Sequence, residues 1–251
     1  MSRNFELMQQ AGQPQSTPLH EPSVPFSIPT EARSSITHQP AIDSLTREQC
    51  LKLIQNVFLL PGKDSPKTIV FAGVDSGNGT SAICANAARL LAAQINGSVC
   101  LVDANLHSPS LPESFGVGNH FGLTDSLRKE GAIRDFVKPV GPDNLWLLSC
   151  GSLAAESAGN LNADAFKARL VELRAAFDYV LIDSPSLNNH SDAIAFGQMA
   201  DGLILVIEAN STRREAAASI TKSLRAAHVS ILGAVLNKRT FPIPSALYHR
   251  I

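Results

Sequence analysis

The chain has 251 residues, of which 44% are hydrophobic and 17% are charged, so it can bury the core of one globular domain. Its 21 basic and 22 acidic side chains nearly cancel, which excludes a polycationic nucleic-acid binder, and no apolar run is long enough to cross a membrane. The polar N-terminus lacks the apolar stretch of a signal peptide, so we expect a cytoplasmic protein. Cys50, Cys84, Cys100 and Cys150 stand far apart among apolar neighbours, which predicts buried, reduced thiols without a disulfide or a structural zinc site.

Residues 1–43 differ in composition from the rest of the chain. They hold six of the 15 prolines among Gln, Ser, Thr and His, and their apolar residues follow neither a helical nor a strand period. Such a segment buries too little apolar surface to offset its conformational entropy. We therefore predict a disordered tail over residues 1–43 and a folded domain over residues 44–251.

An amphipathic helix is predicted at the start of this domain, over residues 44–60. Thr46 and Gln49 have the spacing of a capping box, and apolar residues recur at helical spacing from Cys50 to Phe58. Pro61 and the glycine after it should end the helix. Its apolar face either packs on its own domain or offers a docking surface to another subunit.

From Lys67 onward, short apolar runs alternate with amphipathic or alanine-rich stretches. We predict strands over residues 68–73, 98–103, 145–149, 179–183, 202–208 and 231–237. We predict helices over residues 80–95, 123–137, 163–176, 191–200 and 212–227. Uniformly apolar strands that alternate with helices are typical of an α/β fold with a mostly parallel sheet, buried under helices on both faces. Ligands of such folds bind beyond the carboxyl ends of the strands.

A glycine-rich loop follows the first predicted strand. Gly73, Gly77 and Gly79 in GVDSGNGTSA permit close backbone approach, and the loop amides with the next helix N-terminus can cradle a phosphate. The spacing is that of a P-loop, G-x-x-x-x-G-K-[ST], or Walker motif. Thr80 replaces its lysine, whereas Ser81 keeps the hydroxyl that ligates magnesium. A plain strand-to-helix turn is the alternative interpretation.

Two carboxylates lie at the ends of predicted strands. Asp103 ends the second strand in LVDANLHSPSL, and Asp183 ends the fourth in YVLIDSPS. A carboxylate at the end of a buried strand is costly unless water solvates it or a cation pairs with it. Both residues are therefore predicted to be ligands of magnesium or of water.

From about residue 46 onward, the chain resembles the cytoplasmic bacterial tyrosine kinases of exopolysaccharide and capsule biosynthesis, which belong to the MinD/ParA-type P-loop ATPases. The family motifs read roughly PGEGKST, DADLRRPSL and DYVIIDTPP, and the corresponding segments here are SGNGTSA, DANLHSPSL and DYVLIDSPS. The three motifs occur in the same order. The resemblance implies a P-loop NTPase-like domain that binds ATP or ADP with Mg²⁺.

The resemblance also implies roles for individual residues. Ser81, Asp103 and Asp183 would serve the metal, Asp103 would also accept a proton, and Asn237 would contact the adenine base. Asn237 fits a polar strand end equally well. The implied nucleotide-binding residues of the loop are Gly77, Asn78, Gly79, Thr80 and Ser81.

Several family positions are altered in this chain. The loop lysine is Thr80, the second acid of the second motif is Asn105, and the next basic position is His107. Two arginines of the family's N-terminal oligomerisation helix are replaced by Leu51 and Ile54.

The family's C-terminal tyrosine cluster is also reduced. The chain has two tyrosines, of which Tyr179 lies in a predicted strand and Tyr248 lies near the C-terminus. The segment around Tyr248, residues 240–251, holds two prolines and several apolar residues and is predicted to be an extended arm. The chain therefore keeps few acceptors for autophosphorylation.

These features predict a degenerate member of the family, a pseudokinase that binds nucleotide weakly or only provides a scaffold. The resemblance implies a membrane polysaccharide copolymerase or kinase-activator protein as partner, at the inner face of the membrane, and a homo-oligomer. No nucleic-acid partner is expected. One alternative is an active autokinase or ATPase in which Lys67, Lys238, Arg239 or an arginine of a neighbouring subunit replaces the lysine. Another is a positioning ATPase of the MinD/ParA type.

Overall fold

The computed structural model describes residues 44–59, 65–141, 144–152 and 161–239. Three predictions lie outside these residues: the disordered tail over 1–43, the end of the first helix at Pro61, and the extended arm over 240–251. All four cysteines lie within the described residues, and each is buried, as predicted.

Seven strands form one sheet. They are β1 Thr68–Gly73, β2 Val99–Asp103, β3 Lys138–Pro139, β4 Leu145–Leu148, β5 Tyr179–Asp183, β6 Gly202–Glu208 and β7 Ile231–Asn237. The strand order is β3-β4-β2-β5-β1-β6-β7, and every neighbouring pair is parallel except β3 and β4. The predicted fold class, a mostly parallel sheet of the P-loop NTPase type, is confirmed.

Helices cover both faces of this sheet and bury a separate apolar core on each side. They are α1 Ser44–Val57, α2 Thr80–Gln94, α3 Leu111–Ser114, α4 Leu123–Ser126, α5 Ala163–Ala176, α6 Asp192–Met199 and α7 Arg214–Ala226, with a 3₁₀ turn at Ile133–Asp135. Helices α1 and α2 pack on one face of the sheet. Helices α5, α6 and α7 pack on the other. Within the described part of the chain, no helix is long and apolar enough to cross a membrane.

The predicted helix over residues 123–137 is wrong. Helix α4 ends at Ser126, and a 3₁₀ turn and the short strand β3 follow it. The guanidinium of Arg169, on α5, donates to the carbonyl oxygens of Ser126, Lys129 and Gly131 at 2.7 to 2.8 Å. Gly131 has a φ of 142°, which is outside the helical region. An arginine that is distant in the sequence thus donates to carbonyl oxygens that would have accepted hydrogen bonds within a continuous helix.

The first helix begins at Ser44, as predicted, but it ends at Val57 instead of residue 60. Thr46 lies inside its first turn and is therefore not the N-cap that the capping box predicted. The buried residues Ile54, in α1, and Phe58, directly after it, belong to the apolar core that also contains α2. The apolar face of α1 therefore packs on its own domain.

Strand β7 is less buried than its apolar sequence predicts. Its residues are half-buried or exposed, and Leu236 has 56% of its surface exposed. The reason is its place in the sheet, because β7 is an edge strand with β6 as its one neighbour among the described strands.

Candidate functional site

The glycine-rich loop connects the centre of the sheet to α2. Strand β1 ends at Gly73, and Gly77 and Gly79 both adopt a left-handed φ of 82°. A side chain at Gly73 would place its Cβ 2.6 Å from Thr80 Oγ1, which is shorter than van der Waals contact, so glycine is required there. Gly79 directly precedes α2, and its carbonyl accepts the first helical hydrogen bond from the Ile83 N–H at 3.1 Å. The loop therefore leads its backbone amides to a helix N-terminus, as a phosphate cradle requires.

A cavity of about 300 Å³ lies against this loop. Its lining combines the loop with segments that follow β2 and β5, so the three predicted motifs meet at one edge of the sheet. The lining residues are Asp75, Ser76, Gly77, Asn78, Gly79, Thr80, Ser81, Ala82, Asn105, Ser108, Ser110, Ser184 and Ser186. Hydroxyl groups dominate this set. Among the described residues, no lysine, arginine or histidine lines the cavity.

Asp103 lies buried at the end of β2 and does not itself line the cavity. Its carboxylate accepts hydrogen bonds from the backbone N–H groups of Asn105 at 3.2 Å and Leu111 at 3.3 Å. Burial raises the pKa of Asp103 to about 7, although these backbone donors oppose the shift. The carboxyl group can therefore gain or lose a proton near neutral pH.

Asp183 lies beside it at the end of β5 and is fully buried. Neither of its carboxylate oxygens has a hydrogen-bond partner of normal geometry among the described residues. Burial raises the pKa of Asp183 well above its usual range, the charge of Asp103 raises it further, and the hydroxyl of Ser81 opposes the shift. A buried carboxylate without a partner is rare because it costs the full desolvation of the group.

These groups fit a hard divalent cation. Mg²⁺ is commonly held by one or two carboxylates, a hydroxyl and several waters, and Ser81, Asp103 and Asp183 supply that donor set. The described residues contain no cluster of three or more His, Cys, Asp and Glu side chains, so a metal held by protein carboxylates, thiols and imidazoles alone does not fit. The loop amides fit a phosphate, but the ammonium of a standard P-loop is missing.

Asn237 lies next to the loop and does not line the cavity. Its side-chain nitrogen donates to the carbonyl oxygen of Asn78 at 2.8 Å. The predicted contact with an adenine base therefore competes with a contact inside the protein, and it stays a prediction.

The predicted substitutes for the lysine occupy different places. Lys67 precedes β1, so it stands at the amino edge of the sheet, opposite the loop. Lys238 is near the loop, and its ammonium donates to the carbonyl oxygen of Gly77 at 2.7 Å, but it does not line the cavity. Arg239 follows it in the chain. His107 stacks on His190 with ring centroids 3.7 Å apart, and neither histidine lines the cavity.

Glu208 belongs to this site but was not predicted from the sequence. It ends β6, forms an ion pair with Lys238 at 3.2 Å, and accepts a hydrogen bond from Asn78 at 3.3 Å. It stands at the carboxyl end of an apolar strand, as Asp103 and Asp183 do. A carboxylate at the end of an apolar strand was therefore the sequence feature from which Glu208 could have been predicted.

Comparison with known proteins gives the following similarities. No protein-family model matches the chain. The tyrosine-protein kinase YwqD of Bacillus subtilis is 30% identical over 194 residues, which are 77% of this chain and 81% of that protein. The succinoglycan biosynthesis transport protein ExoP of Rhizobium meliloti is 31% identical over 183 residues, 72% of this chain but 23% of that protein. The kinase domain of the Escherichia coli tyrosine kinase ETK has the same fold, with a TM-score of 0.71 at 21% identity over 79% of each chain.

Proposed function

This chain belongs to the bacterial tyrosine-protein kinases, and on that premise we propose that it is a degenerate member that regulates exopolysaccharide biosynthesis. In this role it binds nucleotide weakly, or serves only as a scaffold. The proposal concerns the folded domain of residues 44–251, with 1–43 as an appended tail and 240–251 as an arm.

The observation that carries the proposal is the charge of the cavity. Its described lining contains Asp75 and no cationic side chain, and Asp103 and Asp183 are buried close by. A charge-assisted hydrogen bond contributes about 1.5 to 3 kcal/mol, so the loss of a loop lysine weakens triphosphate binding by roughly one to two decades. Phosphoryl transfer depends almost entirely on positioning and charge stabilisation, so turnover should be reduced more than binding.

The remaining groups still support nucleotide binding. The amides of residues 77–81 hold phosphate oxygens at the N-terminus of α2, and Ser81, Asp103 and Asp183 hold Mg²⁺, which neutralises phosphate charge. Without a bound cation, burial raises the pKa of Asp103 to about 7, which suits a proton acceptor near neutral pH. Asn237 and Asn78 keep the loop next to the end of β7.

The proposed partner is a membrane polysaccharide copolymerase or kinase-activator protein, which holds this chain at the inner face of the membrane. The support is the similarity to ExoP, named as a succinoglycan biosynthesis transport protein, which is much longer than the matched region. A homo-oligomer is part of the same proposal. Nucleic acid is not, because the acidic and basic residues nearly cancel.

An active tyrosine kinase is the second candidate, since the relatives include tyrosine-protein kinases. It requires a cation from outside the described cavity lining, such as an arginine of a neighbouring subunit. Lys238 can serve only if its ammonium leaves the carbonyl oxygen of Gly77 and crosses the loop. A positioning ATPase of the MinD/ParA type, the remaining alternative, also requires a cationic side chain from a neighbouring subunit.

Calorimetric titration of Mg²⁺-ATP and Mg²⁺-ADP into the full chain tests the proposal. We expect weak binding that disappears with a chelator and in Asp183→Ala, whereas the exposed Asp164→Ala variant should bind like the wild type. Asp183→Asn keeps the side-chain shape and checks that the loss is not due to unfolding. Nucleotide binding that a chelator leaves unchanged would remove the metal assignment.

The same protein, incubated with labelled ATP, distinguishes the two candidates. Tyr248, outside the described residues, should carry little label if the chain is degenerate. Efficient labelling there would favour the active kinase.

A further inference from the structure

Four residues form a polar network between the phosphate loop and the ends of β6 and β7. We call Asn78, Glu208, Asn237 and Lys238 the loop clamp. Three of them come from the ends of β6 and β7, and the fourth belongs to the loop itself. The network therefore links the loop to the edge of the sheet.

Lys238 makes the most direct contact of the clamp. Its ammonium donates to the carbonyl oxygen of Gly77 at 2.7 Å and pairs with a carboxylate oxygen of Glu208 at 3.2 Å. Gly77 lines the cavity, but Lys238 does not. The ammonium thus bonds the loop through a backbone carbonyl oxygen, which cannot donate to a phosphate, and leaves the loop amides available.

Glu208 connects Lys238 to Asn78, which lies within the loop. Besides the ion pair, it accepts a hydrogen bond from the side-chain nitrogen of Asn78 at 3.3 Å. The side-chain oxygen of Asn78 accepts the backbone N–H of Asp75 at 2.7 Å, and its backbone carbonyl accepts the amide of Asn237. Asn78 is only 2% exposed, so its polar groups depend on these protein partners.

The backbone of Lys238 is adapted to this contact. Its φ is 53°, in the left-handed region that non-glycine residues seldom occupy, and it directly follows the last residue of β7. Such a conformation persists where surrounding contacts determine it, and the contacts here are those with Gly77 and Glu208.

We propose that Lys238 is a positioning residue that holds the phosphate loop in its binding conformation from outside the cavity lining, through Gly77 and Glu208. A loop that has no lysine of its own has lost one internal restraint, and the clamp supplies another from the end of β7. The effect on nucleotide affinity rests on the proposed function, whereas the effect on the loop does not.

The test uses the full chain without nucleotide and follows the loop by NMR. Lys238→Met removes the ammonium and keeps an unbranched side chain. We expect the Gly77 and Gly79 amides to show greater fast motion in ¹⁵N relaxation. Hydrogen exchange of the Asp75 amide should become faster by about three- to tenfold, because the contact that is lost involves a half-exposed charged group. Glu208→Gln should act in the same direction, and Lys238→Arg should preserve the wild-type behaviour.

Lys222→Met is the matched control, because Lys222 is exposed on α7 and should change none of these signals. Unaltered Gly77, Gly79 and Asp75 amides in Lys238→Met would overturn the proposal, and so would an equal effect in Lys222→Met. If the wild type binds Mg²⁺-ADP, Lys238→Met should weaken that affinity by about three- to tenfold and Lys238→Arg should restore it. If the wild type binds no nucleotide, the nucleotide-binding form of the proposed function fails and only scaffolding remains, while the loop measurements still decide the clamp.

Discussion

Asp103 and Asp183 are register partners on neighbouring parallel strands, and both side chains are completely buried at the carboxyl edge of the sheet. Burial raises the pKa of both carboxyl groups, and the charge of Asp103 raises the pKa of Asp183 further, so ionising both is costly without a cation. The pair therefore makes the stability of the protein depend on both pH and magnesium.

Thermal stability without metal should decrease as the pH rises. In the unfolded chain the Asp103 carboxyl ionises at its ordinary pKa, whereas burial raises the pKa to about 7 in the folded protein. Between these values the folded protein keeps a proton that the unfolded chain has released, so its stability is lost as the pH rises towards 7. The shift of Asp183 has the same direction. We expect the Tm in EDTA to fall by about 3 °C or more from about pH 5 to pH 8.

Two controls accompany this measurement. Asp103→Asn should reduce the pH dependence, because the amide does not titrate, and should leave the part that is due to Asp183. Mg²⁺ should raise the Tm mainly at the higher pH, where it stabilises the ionised carboxylates. A Tm that rises over the same pH range in EDTA would contradict the expected sign.

Thr80→Lys should restore the missing ammonium at the start of α2. Thr80 lines the cavity and stands at the lysine position of the motif. We expect Mg²⁺-ATP affinity, measured by titration, to increase by about one decade, as for one recovered charge-assisted contact. Catalysis should recover less, since Asn105 still lacks a carboxylate.

The matched control for this variant is Ser186→Lys, which adds the same charge elsewhere in the cavity lining. A smaller gain in affinity there would assign the effect to the loop position. An unchanged affinity in a folded Thr80→Lys protein would mean that the loop does not cradle phosphates, and scaffolding would then be the better account.

Gly77 and Gly79 share a φ of 82° but have different surroundings. A Cβ at Gly77 meets nothing within 4 Å, whereas a Cβ at Gly79 would collide with the amide nitrogen of Asn237. Both alanine variants incur the cost of a left-handed residue, and Gly79→Ala should lose roughly 1 to 3 kcal/mol more because of the collision. Urea unfolding measures this difference, which Asn237→Ala should reduce. Equal losses in the two variants would show that Asn237 does not hold the loop.

Deletion of residues 1–43 should leave the folded domain intact. Their composition, with six prolines and no periodic apolar pattern, predicts that they contribute nothing to the core. We expect the Tm of the truncated chain to match that of the full chain. A decrease of more than about 5 °C would show that the segment docks on the domain.

The sequence alone determined the features that depend on residues close together in the chain. Strand β1 was predicted with its exact bounds because an apolar run ends at a glycine, and Asp103 and Asp183 could be placed at one edge because parallel strands end on the same side. The local patterns also located the loop and identified Thr80 at its lysine position.

Only the tertiary structure decided which residues, far apart in the sequence, form hydrogen bonds with each other. Arg169 takes the carbonyl oxygens of Ser126 and Gly131, so an amphipathic stretch that could have formed one helix is broken. Lys238 bonds the carbonyl oxygen of Gly77 without lining the cavity, although the two residues are far apart in the sequence and no local pattern indicates this contact. Hydrophobic periodicity indicates whether a segment forms a helix or a strand. The partner of a hydrogen-bonding or charged group, in contrast, depends on how the strands and helices pack around that group.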